Sequence, residues 1–193
     1  MSNSPSASCA SFFTTGAATD PFYCNTRDGR EEPHARGREY LERLWQAYAQ
    51  YLDADAADKA RRDLVSVFWE LQLAHTLASA GKQLAPRCQL AYRKNKGPDL
   101  FAGDAPGVWI EAVVVRSGDG PDRLEYPEPM KVYSYNPDGV VLRLRSAIRD
   151  KTAKIQGYIA DGTIRPGQAA VIAISGVVLP HRFSGIKIGR AHV

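Results

Sequence analysis

The chain has little cysteine. Cys9, Cys24 and Cys88 are its only three, odd in number and far apart among 193 residues. That spacing supports neither a disulfide framework nor a zinc site, and a reducing cytoplasm is the expected setting. Long apolar runs are also missing, since nothing approaches the roughly 20 residues that cross a bilayer as a helix. Met1–Thr19 contains no charged residue and so lacks the basic start of a secretory signal. Charge of one sign does not dominate. Lys and Arg number 25 against 21 Asp and Glu, a formal net charge of +4, which permits a polyanionic partner without requiring one. There is no internal repeat, no Gly-rich phosphate loop, no Ser-His-Asp order and no His/Cys metal set. What is present is globular composition, 44% hydrophobic and 24% charged, which excludes a wholly disordered chain, a fibre and a polytopic membrane protein.

Residues 1–36 are rich in Ser, Ala, Thr and Gly, then in charge, with no sustained period. They are expected to form a mobile arm. Residues 37–187 read as a single domain. Arg38–Leu52 repeats apolar residues at three and four positions and predicts a helix. A second helix is expected from an Asp55 cap to a Gly81 stop, with Ala60, Leu64, Val67, Phe68, Leu71, Ala74, His75 and Ala78 on its stripe. The period then changes. Short strands are expected at Gln89–Tyr92 and Asp99–Ala102, and a firmer one at Val108–Val115 (VWIEAVVV). Ser117–Gly139 is a long Gly/Pro/Tyr-rich connection. Val141–Ala160 predicts a third helix and Ala169–Leu179 a last strand. The order helix, helix, strand, strand, strand, helix, strand implies an α/β (α+β) fold, with a central mixed four-stranded sheet flanked by helices. The last six residues, Ile188–Val193 (IGRAHV), resemble the translation of a sequencing-adapter sequence. The natural protein is therefore expected to continue beyond that point.

Three acids stand where acids are unwelcome. Glu111 interrupts an eight-residue apolar run, on the strand face shared by Trp109 and Val113. An unpaired buried carboxylate costs several kcal/mol or stays protonated, so a cation, hydrogen bonds or a metal must compensate it. Asp99 follows Gly97-Pro98 and opens the preceding strand, where it is either a turn residue or a partner for Glu111 across the hairpin. Glu70 lies on the flank of the second helix's apolar stripe, the place of a solvated acid or of a third carboxylate. Two converging carboxylates, completed by waters, are a donor set for Mg²⁺. Such a metal activates water and offsets charge developing on a phosphate.

Phe68-Trp69-Glu70, Gly97-Pro98-Asp99 and Ile110-Glu111-Ala112 stand in the order helix Glu, Pro-Asp, strand Glu. In this the chain resembles the PD-(D/E)XK nuclease superfamily over about residues 58–179. It is more closely similar to uncharacterised bacterial members with a Trp-Ile-Glu-Ala-Val strand followed by a Ser-Ala-Ile helix. The resemblance implies a restriction-endonuclease-like fold and a metal-dependent phosphodiesterase acting on DNA. Asp99, Glu111 and the Ala112 carbonyl would hold Mg²⁺ (or Mn²⁺), with Glu70 as an outer or third ligand. The family's lysine falls at Val113 here, and valine neutralises nothing. Some members move that cation to the following helix. With Ile148 taken as reference, Lys151 projects about 60° away, inside the apolar stripe, and Lys154 about 120° away, at its boundary. Lys151 is therefore the preferred replacement, unless it snorkels past the core edge to water. Arg93, Lys94, Lys96, Arg145 and Lys154 are the expected nucleic-acid contacts, with Arg143 and Arg149 on the same helix as Arg145. Tyr126, Tyr133 and Tyr135 offer stacking surfaces. A homodimer is compatible with this reading, and no membrane partner is expected. Two alternatives remain: a degenerate member of the fold that binds nucleic acid or protein without cutting, and an unrelated α/β interaction domain in which Glu111 pairs with an Arg or Lys.

Overall fold

A carboxylate just before Pro21 is suited to start a helix. Proline at the first helical position has no amide to satisfy, and the acid accepts the amides that follow. The computed structural model describes residues 10–90, 97–103, 106–119, 123–125 and 137–179. It divides into two compact units, Met1–Leu90 and Ala91–Val193. The first unit is helical: α1 (Pro21–Asp28), α2 (Glu32–Tyr48), α3 (Ala56–Ala60) and α4 (Leu64–Ser79), with a 3₁₀ turn at Ala49–Tyr51. Asp20 starts two of these helices at once. One carboxylate oxygen accepts the Tyr23 amide of α1 at 2.8 Å, and the other accepts the Leu64 amide of α4 at 3.2 Å. Asp20 is itself buried.

The described part of residues 1–36 therefore differs from the expected mobile arm. Phe12 and Tyr23 are fully buried in one core with Leu41, Leu44, Trp45, Leu64, Val67 and Leu71. Glu42 on α2 accepts the Phe12 and Phe13 amides and the Ser11 hydroxyl, and the Trp45 indole donates to the Ala10 carbonyl at 2.8 Å. The segment is held by aromatic insertion and capping, neither of which leaves a periodic trace. Asp20→Ala is expected to remove about 1–3 kcal/mol of stability, because the α1 cap and the acceptor of the Leu64 amide are lost together. Urea unfolding followed by tryptophan fluorescence measures this.

The helix expected from Asp55 to Gly81 is broken. Asp63 caps α4 by accepting the Ser66 amide at 3.0 Å and its hydroxyl at 2.8 Å, and Asp55 makes no side-chain cap. A local carboxylate thus competes with helix continuation and wins. Across the α2–α4 contact, the Tyr40 hydroxyl donates to Gln72 at 2.9 Å and the Tyr48 hydroxyl lies 3.1 Å from His75 Nδ1.

The second unit contains β1 (Leu100–Ala102), β2 (Val108–Val114), α5 (Pro137–Ala160) and β3 (Ala169–Ser175). Strand order is β1-β2-β3. β1 pairs antiparallel with β2, Leu100 facing Ile110, and β2 pairs parallel with β3, Glu111 facing Ile172. The parallel pair needs a crossover, and α5 supplies it. The class is α+β. Among the described residues the sheet has three strands where four were expected. Arg87–Gln89 forms a 3₁₀ turn after Pro86, so the expected strand at Gln89–Tyr92 does not begin there. Its end, and Arg93, Lys94 and Lys96, lie outside the described residues, as do Tyr126, Tyr133, Tyr135 and the 188–193 tail. α5 starts at Pro137, four residues before the expected Val141, again with proline in the first turn. At the hairpin the Phe101 and Trp109 rings meet edge-on, 4.6 Å between centroids. Among the described residues no helix is long and apolar enough to cross a membrane.

Candidate active site on the sheet of the second unit

Continuing the β1–β2 register by one residue sets Asp99 opposite Glu111. Directly opposed residues hold their Cβ atoms about 4.5–5.5 Å apart on the same face. The hairpin thus forces two carboxylates together. Glu111 is completely buried, and Asp99 accepts the Ala112 amide through Oδ2 at 2.6 Å. That bond ties Asp99 to the residue next to its acidic partner. Burial pushes the Asp99 carboxyl above its usual range, and repulsion from Glu111 adds to this. The Ala112 amide and the charges of Lys151 and Lys154 oppose the shift without cancelling it.

α5 brings the compensating cations. Lys151 Nζ lies 2.5 Å from Glu111 Oε1, and Lys154 Nζ lies 2.6 Å from the same oxygen. Positions 151, 154 and 158 are three and four residues apart and share a helix face. Burial tends to lower the Lys154 pKa, but the hydrogen bond and charge of Glu111 outweigh it, and the ammonium is held above its ordinary value. Tyr158 is buried beside it, with Lys154 Nζ 5.7 Å from the ring centroid. Burial raises the Tyr158 pKa, and the nearby Glu111 charge raises it further against the Lys154 hydrogen bond.

The expected preference for Lys151 is therefore met by a pair. Lys154, assigned from the sequence to nucleic-acid contact, reaches the same carboxylate oxygen. Its Cβ projects to the boundary of the stripe, but a four-carbon stem reaches well beyond that projection. Lys151 is the less exposed of the two, 21% against 46%. Arg145 is an exposed residue of α5, and Val113 occupies the strand position two beyond Glu111. Glu70 lies half-buried on α4 of the first unit. Tyr158 was missed as a site residue, although its seven-residue spacing from Lys151 was the available signal.

The donor set is suited to a hard divalent cation. Glu111 Oε1 is taken by both lysines, while Oε2 is buried with no hydrogen-bond partner among the described residues. An oxygen in that condition, beside a second carboxylate, has the chemistry that hard cations such as Mg²⁺ or Mn²⁺ favour. Among the described residues no group of three or more His, Cys, Asp and Glu is placed to hold a metal, so waters would complete the shell. Compared with protein-family models, with curated proteins and with solved structures, the chain matches none.

Proposed function

We propose that the second unit carries a metal-dependent phosphodiesterase site acting on DNA, of the PD-(D/E)XK kind, with the motif lysine supplied by α5. The observation that carries this reading is the convergence of Lys151 and Lys154 on Glu111, opposite Asp99. It supplies by another route the cation that Val113 cannot. The hairpin, the α5 crossover and the parallel third strand support a restriction-endonuclease-like core. Asp99 and Glu111, with the Ala112 carbonyl, would hold Mg²⁺ or Mn²⁺, which when bound supplies a more acidic water and offsets charge on the phosphate. Lys151 then stands beside Glu111 to stabilise negative charge growing on the phosphate oxygens. Lys154, held between Glu111 and Tyr158, fixes the Glu111 carboxylate.

One observation favours a second reading. Two ammonium groups already balance two carboxylates, so the cluster is electrically satisfied by protein groups alone, as in a fold that binds without cutting. A cleavage assay on plasmid and single-stranded DNA, with Mg²⁺ or Mn²⁺ against EDTA, separates the two. The expected result is metal-dependent cleavage that falls by about 10²–10³-fold in Asp99→Asn. DNA binding without cleavage under either metal would establish the binder.

A further inference from the structure

We propose that Lys154 is the displaceable counter-ion of the Glu111 carboxylate. It holds the acid in the metal-free site and, when a divalent cation binds there, turns along α5 towards Asp150 and Tyr158 while Lys151 stays. This deepens the phosphodiesterase reading and rests on its metal site. The observation behind it is a shared oxygen. Lys151 Nζ and Lys154 Nζ lie 2.5 and 2.6 Å from Glu111 Oε1. Glu111 Oε2 is buried and has no hydrogen-bond partner among the described residues. One ammonium is enough to hold Oε1, so the other can leave without stripping the carboxylate of its protein cation.

Charge balance requires a departure. The two ammonium groups offset the carboxylates of Glu111 and Asp99, which lie opposite each other in the continued β1–β2 register. A divalent cation on those carboxylates adds two positive charges to a buried strand face, where uncompensated charge is strongly unfavourable. Withdrawal of one ammonium halves that excess. Exposure favours Lys154 as the one to go, because its side chain is 46% exposed and that of Lys151 is 21% exposed. The more exposed group recovers its hydration with the smaller movement.

The helix also gives Lys154 somewhere to go. Residues four apart on a helix are surface neighbours. Lys154 has Asp150 at one such position and Tyr158 at the other. Asp150 is bonded to Arg149 at 3.3 Å, but both side chains are largely exposed, and such open pairs exchange partners at little cost. The Tyr158 ring centroid lies 5.7 Å from Lys154 Nζ, and its hydroxyl already shares a hydrogen bond with that ammonium. Lys151 has Ala147 and Ile155 at the corresponding positions, and neither can receive an ammonium. Three residues away it meets only Ile148 and Lys154 itself. The sequence of α5 thus provides a landing place for one lysine and none for the other.

The test uses the full chain without DNA. Calorimetry follows Mg²⁺ binding, and brief acetylation read by peptide mass spectrometry follows lysine exposure. Lys82, exposed on the first unit, is the internal reference. Saturating Mg²⁺ is expected to raise acetylation of Lys154 relative to Lys82 at least about fivefold, the low end of ordinary coupling between two occupants of one site. Lys151 should be unchanged. Lys154→Met, with no ammonium to displace, is expected to bind Mg²⁺ at least about fivefold more tightly than the wild type. The acetylation arm needs no variant, so it decides the matter if Lys154→Met does not fold. Mg²⁺ binding with unchanged Lys154 acetylation overturns the proposal, as does exposure of Lys151 in its place. Failure of both Mg²⁺ and Mn²⁺ to bind overturns it together with the metal site. Release of Lys154 without DNA cleavage keeps this inference and removes the nuclease. Metal-dependent cleavage with Lys154 unmoved does the reverse.

Discussion

Glutamine at position 111 is expected to destabilise the second unit by about 3 kcal/mol, the low end of the cost of breaking a buried ion pair. Glu111 is completely buried, and two ammonium groups lie 2.5 and 2.6 Å from one of its oxygens. Both ammonium groups bond the Glu111 carboxylate directly, and only the Asp99 charge beside it would remain to offset them. Glutamine preserves shape and leaves two positive charges facing each other. Lys154 is about half exposed and can turn toward water, which is why the low end applies. The pH dependence has a definite sign. In the wild type the Lys154 pKa is raised. Its stabilisation is therefore fully present below the unfolded value of about 10.4 and is lost as pH rises through the higher folded value. In Glu111→Gln the raising influence of Glu111 is gone, and burial with the neighbouring ammonium charge lowers the Lys154 pKa. The folded variant then binds fewer protons than the unfolded chain, and its stability rises with pH up to about 10.4. Urea unfolding at pH 7 and pH 10 should show the gap between the two proteins closing. An unchanged gap would mean that Glu111 does not restrain the lysines.

The parts of this site that sequence alone conveyed are those set by short-range rules. Alternation along a strand put Glu111 on a buried face, and the Pro98-Asp99 step opened the neighbouring strand at a fixed register. Helical projection brought Lys151 inward. Lys154 escaped because projection locates Cβ atoms, whereas a lysine ammonium is placed by its long stem. The close approach of Gly118 to the Arg143 guanidinium, where a Cβ would fall 2.2 Å from its carbon, was illegible for a different reason: it depends on how the β2 exit and α5 pack, and its only sequence trace is one glycine among others. In the first unit, residues 10–36 had no period to detect. Their order comes from Phe12 and Tyr23 entering a core built by later helices, and from Asp20 accepting the first amide of a helix 44 residues away. The break before α4 shows local chemistry overriding a continuous apolar stripe, since Asp63 and Ser66 form a cap within it.

The two lysines are expected to separate by function. Lys151→Met should reduce kcat for metal-dependent cleavage by about 10²–10³-fold, the usual cost of removing one preorganised stabilising group. Lys154→Met should cost about tenfold or less, because Lys154 is more exposed and is shared between Glu111 and Tyr158. Equal losses from both substitutions would show that neither lysine is specialised. The double variant carries the sharper argument. Both ammonium groups bond the same carboxylate oxygen, so their removal cannot be additive. With both gone, Glu111 and Asp99 form an uncompensated acidic pair on a buried sheet face, and the second unit becomes less stable than the single variants predict. A divalent cation should then replace the missing charge. The rise in Tm on adding Mg²⁺ is expected to be larger in Lys151→Met/Lys154→Met than in the wild type, because in the wild type the lysines compete for the same carboxylates. If Mg²⁺ shifts neither protein, Asp99 and Glu111 do not form a metal site, and the ion cluster serves the fold alone.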